Sequence, residues 1–169
     1  MDGASVLVLG IGNTLMRDDG VGVWAAAALS DAYDAPADVK IMDGGVAGLR
    51  LLGAIAQAEF LLIIDAVKGG GAPGSIYRLE PNALPQRRGP FFSAHEVGVA
   101  ELLSALEFMG KLPKTRIIGV EPLETESVGL ELTEPLRGAL PGVVAAVVQE
   151  LEGLGVVMRR RKDLALVGR

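Results

Sequence analysis

The sequence predicts a single α/β domain, a three-layer sandwich with a mostly parallel, twisted sheet and helices on both faces. Three observations lead there. Short continuous apolar runs, as in Val6-Leu7-Val8-Leu9 and Leu61-Leu62-Ile63-Ile64, are the pattern of strands buried on both faces. Stretches with helical composition and helix-end signals separate those runs, and strands alternating with helices define the class. The length, 169 residues with 50% hydrophobic side chains, suits one core of ordinary size. We assign residues 1–158 to this domain and 159–169 to a basic C-terminal tail.

In chain order, residues 5–10 form a strand stopped by Gly10, and a turn-rich stretch over 11–20 leads into an alanine-rich helix over 21–33, closed before Pro36. Residues 39–43 form a second strand ending at Gly44-Gly45, and 46–58 a second helix. Residues 60–66 are the most apolar strand, followed by a glycine loop over 68–74. Residues 75–80 alternate and read as an edge strand, open to antiparallel pairing, and 81–90 as a loop. Ser93-Ala94-His95-Glu96 has serine and glutamate at capping-box spacing, opening a helix through Met109 that Gly110 closes. Residues 115–120 are a strand, 134–153 a long helix interrupted at Pro141 and Gly142, and 155–158 a last short strand.

Composition excludes several kinds of chemistry. With no cysteine and one histidine, the chain has no disulfide framework, thiolate zinc site, iron–sulfur cluster or cysteine nucleophile. Mean hydropathy is +0.39, yet no apolar run reaches the roughly 18 to 20 residues a membrane-spanning helix needs. The acidic start, Met1-Asp2-Gly3-Ala4-Ser5, lacks the basic region of a secretory signal, so a cytoplasmic protein without membrane insertion is expected. Net charge is −5, and Arg159, Arg160, Arg161, Lys162 and Arg169 leave the rest more acidic still. An acidic body argues against nucleic acid as a partner, and the basic run reads as a solvated tail.

In such folds ligands bind beyond the carboxyl ends of the parallel strands. That edge collects Gly10-Ile11-Gly12-Asn13, Asp43-Gly44-Gly45 and Asp65. The glycine turn is not a dinucleotide fingerprint, because Leu15 stands where the third glycine belongs. Asp18 and Asp19 precede a helix, so one reads as its N-cap with the other exposed at the positive end of the dipole. A bound cation would instead relieve the repulsion of the two carboxylates. Asp65 ends a buried strand, where a carboxylate needs a cap, a cation such as Lys68, or a metal. His95 lies in the first helical turn, where the dipole disfavours imidazolium and preserves a lone pair for ligation.

Together Asp19, Asp65 and His95 offer two carboxylates and one imidazole from three loops, a donor set suited to zinc, nickel, iron or manganese with open positions. Nothing in the spacing chooses among them. A triad using Ser93 is a poor rival, since that serine is claimed by the cap and no Gly-x-Ser-x-Gly turn exists.

At these residues the chain resembles the hydrogenase maturation proteases. The resemblance runs in order through Gly10-Ile11-Gly12-Asn13-Thr14-Leu15 with Asp18-Asp19-Gly20-Val21-Gly22, then Asp43-Gly44-Gly45-Val46-Ala47-Gly48, Ile64-Asp65-Ala66, and Ser93-Ala94-His95-Glu96 with Gly98. It implies an endopeptidase that removes the C-terminal extension of a nickel–iron hydrogenase large-subunit precursor after nickel insertion. The implied metal-recognising residues are Asp19, where the family often has glutamate, Asp65 and His95. They would meet the nickel of the substrate, another divalent cation being possible in the isolated protein. Asp43 is the spare carboxylate for base or orienting work, and Gly12, Asn13, Gly44 and Gly45 line the edge where the substrate's tail would lie. A monomer is expected. A nickel-binding chaperone and a receiver-like signalling domain, neither with peptidase activity, are the alternatives.

Overall fold

A computed structural model describes residues 5–83 and 94–162, with side-chain surroundings at 83, 94–98 and 100 outside that description. Its strands are β1 (Val6–Ile11), β2 (Tyr33–Asp34), β3 (Val39–Gly45), β4 (Phe60–Ala66), β5 (Ile76–Leu79), β6 (Lys114–Val120) and β7 (Arg159–Arg160). Its helices are α1 (Val21–Ala32), α2 (Leu52–Ile55), α3 (Ala94–Phe108) and α4 (Glu134–Gly153). The main sheet has the order β3-β1-β4-β6-β5; every pairing is parallel except that of β5 with β6. The antiparallel edge strand is thus where the alternation of residues 75–80 placed it.

Burial on both faces explains the apolar runs. Val6, Val8, Leu62, Ile64, Ile118 and Val120 pack with α1 and α4 in one core layer. Their neighbours Leu7, Leu9, Leu61, Ile63 and Ile117 pack with α2 and α3 in the other. Successive side chains point to opposite faces of a strand, so continuous hydrophobic sequence is what a doubly covered sheet requires.

Three expectations need correction. The helix anticipated over 46–58 is a 3-10 turn, Gly48–Leu51, followed by the single turn α2. Gly45 and Gly48 both hold positive φ, +46° and +54°, in the left-handed region, which no α-helix continues through. The helix over 134–153 is not interrupted: Pro141 lies inside an unbroken α4 on its exposed side. Burial of Leu136, Val143, Val147 and Leu151 at helical spacing outweighs the one amide bond proline forfeits. Residues 155–158 are not a strand.

The strand comes just afterwards, where β7 pairs antiparallel with β2 inside the run read as a solvated tail. Arg160 donates from Nε to the Tyr33 hydroxyl at 3.1 Å with its guanidinium 5.7 Å from the ring centre, and Arg161 forms an ion pair with Asp34 at 3.0 Å. The side chains are exposed, as expected, but the backbone at 159–160 is docked on the end of α1. Among the described residues no helix is long and apolar enough to cross a membrane.

Candidate active site

The glycines at the carboxyl edge of the sheet are demanded by packing. A Cβ on Gly10 would overlap the carbonyl oxygen of Gly22, and one on Gly22 would overlap the carbonyl oxygens of Ile64 and Ile11. Helix α1 therefore seats backbone against backbone over β1 and β4. Gly12 has φ +136° and lies against the carbonyl of Asp19, so its missing side chain is what lets the turn fold under the start of the helix.

That turn orients one acid. The Asn13 amide donates to Asp19 Oδ2 at 3.0 Å, and the Asn13 side-chain oxygen accepts from the Leu15 amide at 3.0 Å, an Asx turn. The Gly12 amide donates to the Gly45 carbonyl at 3.0 Å, tying the turn to the end of β3. Of the anticipated tail-lining residues, Gly12 and Gly44 are buried, with Gly44 under Leu9 and Leu51, while Asn13 and Gly45 are half-buried on the rim. Asp43 is exposed on β3, in register with Gly10.

Neither Asp18 nor Asp19 caps α1, whose N-cap is Gly20, and both are buried. Asp18, 0% exposed, is consumed by structure. Its Oδ2 accepts from the amides of Leu123 (2.9 Å) and Glu124 (3.0 Å) and from the Thr133 hydroxyl (2.7 Å), and its Oδ1 from the Thr133 amide (2.8 Å). This clasp holds the loop between β6 and α4. It also explains why Thr133, at the N-cap of α4, makes no side-chain cap. The two adjacent acids thus have different partners: Asp18 builds the loop, and Asp19 accepts from the Asn13 amide in the turn between β1 and α1.

Asp65 ends β4 buried, its Oδ1 accepting from the Ala66 amide at 2.9 Å. Sequence reasoning missed a second buried acid at the end of the neighbouring strand. Glu121, directly after β6, accepts through Oε2 from the amides of Gly69 (2.6 Å) and Gly70 (3.2 Å) and from the Tyr77 hydroxyl (2.8 Å). Tyr77 in turn accepts from the Gly71 amide at 2.9 Å. The glycine loop after Asp65 is therefore pinned, not floppy. Hydrogen bonding to the Glu121 carboxylate, with a smaller contribution from burial, raises the Tyr77 phenol above its ordinary pKa. The signal was present: an acid following Ile117-Ile118-Gly119-Val120, the pattern that singled out Asp65.

His95 is the second residue of α3, so the expected helix start is borne out in the backbone. Its side chain, and the Ser93 cap, lie outside the described residues. Among the described side chains, no three His, Cys, Asp or Glu groups converge as a metal site. For a metal the fit rests on Asp19 and Asp65, hard oxygen donors buried at one sheet edge and each oriented by a backbone amide, much as hydrogen bonds behind a metal ligand fix its direction.

A doubly covered sheet with one buried aspartate, Asp65, at the carboxyl end of β4 and another, Asp19, in the turn between β1 and α1 has the layout of an α/β domain that binds its ligand at that edge. A family model described as hydrogenase maturation protease matches residues 23–150. The chain is 38% identical over 164 residues to a hydrogenase expression/formation protein, HupD, of Rhizobium leguminosarum, covering 96% of this chain and 81% of that one. It is 38% identical over 156 residues to the hydrogenase 2 maturation protease of Escherichia coli, covering 91% and 90%. The solved structure of the hydrogenase maturating endopeptidase HybD from E. coli superposes with a TM-score of 0.86 at 36% identity, covering 94% and 99%. The chain belongs to the hydrogenase maturation protease family, and its activity is that of an endopeptidase.

Proposed function

We propose that this protease removes the C-terminal extension of a nickel–iron hydrogenase large-subunit precursor after nickel insertion, acting as a monomer in the cytoplasm. Asp19, Asp65 and His95 meet the nickel carried by the substrate, so cleavage waits on metal loading. The observation that supports this reading most is the pair of buried acids near one end of the sheet: Asp19, which accepts from the Asn13 amide in the turn after β1, and Asp65, which ends β4.

Hydrolysis adds water across the scissile C–N bond and leaves a new carboxylate and a free amine. Polarising the carbonyl or positioning the tail is what a substrate metal supplies there. On this reading Asp43, exposed on β3 in register with Gly10, is the protein carboxylate that accepts the water's proton or orients the peptide. Purified protein incubated with nickel-loaded and nickel-free precursor, followed by intact-mass measurement, tests the reading. Shortening of the nickel-loaded precursor alone is expected. Equal cleavage of both overturns the metal checkpoint, and cleavage of neither overturns the peptidase assignment to this substrate.

A further inference from the structure

The loop clasped by Asp18 displays apolar side chains that the fold does not use. Leu123, Val128 and Leu130 are exposed, as is Leu15 on the facing turn, from 56% at Leu15 to 79% at Val128. The two segments are stitched together at Gly129, which sets Leu15 beside Val128 and Leu130, while Leu123 opens the same loop beside Asp18. The Gly129 amide donates to the Leu15 carbonyl at 2.8 Å, and the Arg17 amide to the Gly129 carbonyl at 2.9 Å. Gly129 also lies against the Arg17 side chain, which a Cβ there would have to displace. Contiguous exposed apolar surface is uncommon on soluble proteins unless something binds it. Here the surface is also held rigid, so it enters a complex with little ordering cost.

Charge narrows the occupant. Across residues 15–19 and 123–131 the exposed or half-buried charged side chains are Arg17, Glu124, Glu126 and Glu131. Glu124 is kept anionic by the amides of Glu126 (2.7 Å) and Ser127 (3.2 Å), which hold its carboxyl below the usual range. An apolar patch bordered by three acids and one base complements an apolar face bordered by lysine or arginine. Its position is equally specific, since the patch begins at Leu15, bonded to Asn13, and Asn13 holds Asp19.

We infer that the clasped loop 123–131, with Leu15, is a docking surface for an apolar, basic-rimmed face of the precursor body, separate from the edge that takes the scissile tail. The inference rests on the peptidase reading for its partner. It assigns substrate selection to residues that touch neither the metal nor the scissile bond.

The test compares wild type, the double variant Val128→Ser/Leu130→Ser, the double variant Glu126→Lys/Glu131→Lys, and the control Phe108→Ser. Phe108 is 94% exposed at the end of α3 leading to the start of β6, the opposite edge of the sheet. Cleavage kinetics on nickel-loaded precursor are measured together with equilibrium binding of the same precursor. Both loop variants are expected to raise KM and Kd about tenfold with kcat within about twofold, as for loss of uniform binding energy. The charge-reversed variant is expected to reduce or reverse the weakening of wild-type binding by salt. Phe108→Ser should match wild type. Unchanged KM and Kd in both loop variants, with wild type active, would overturn the docking surface and leave the peptidase reading intact. If wild type binds the precursor without cutting it, the peptidase reading fails while the binding comparison still decides the surface. Absence of binding by wild type overturns the surface as well.

Discussion

Thr133 gives both of its donors to a single side chain: its amide reaches Asp18 Oδ1 at 2.8 Å and its hydroxyl reaches Asp18 Oδ2 at 2.7 Å, across 115 positions of the chain. With the Leu123 and Glu124 amides, the carboxylate has four donors and no exposure. Asp18→Ala is expected to destabilise by about 3 to 5 kcal/mol, since it strands several buried donors at once. Urea unfolding measures this. A loss below about 1 kcal/mol would show that solvent replaces the clasp.

The seat of α1 leaves no space at Gly22, where an added methyl would meet the carbonyl oxygens of Ile64 and Ile11. Gly22→Ala is expected to cost about 2 to 4 kcal/mol in the same unfolding assay, through backbone displacement instead of any lost contact. Gly53→Ala is the contrast, because a methyl there would have nothing within 4 Å of it, and its effect should stay within about 1 kcal/mol.

Tyr77 ionises late because its hydroxyl donates to Glu121. A group whose folded pKa is raised contributes stability that is present below its unfolded pKa and lost as pH climbs through the folded one. An alkaline titration followed by tyrosinate absorbance should therefore show a late component from Tyr77. Tyr77→Phe should remove it. The same variant frees the glycine loop at Gly71, so faster amide exchange at residues 69–71 is the companion readout.

His95→Ala and Asp65→Asn should abolish precursor shortening while leaving the unfolding midpoint near that of wild type; a structural role would lower the midpoint instead. Asp19→Glu should retain processing, the longer carboxylate matching what the family often carries at that position. Mass measurement of the product and a thermal melt on each variant separate the outcomes.

Much of the fold was legible because the strands are covered on both faces, which writes burial directly as unbroken apolar runs in residues 6–9 and 60–64. What escaped depends on distant partners. Pro141 reads as a break until the buried face of α4 is weighed against it, and Arg159–Arg160 reads as tail until Tyr33 and Asp34 arrive to pair with it. The acids show the same limit. Asp19 was singled out with the family resemblance, but the structural task of its neighbour Asp18 becomes visible only when Leu123, Glu124 and Thr133 arrive from the far end of the chain. Glu121 went unread although it stands at a strand end as Asp65 does.

The seat between Gly10 and Gly22 has a bearing on how such chains are recognised. Those glycines answer to the approach of a helix to a sheet, not to a substrate, so a chain could keep them, replace Asp19 and Asp65, and still fold. If Asp19 and Asp65 act as proposed, a search keyed to the glycines gathers inactive descendants alongside working enzymes, whereas one keyed to the carboxylates sorts between them.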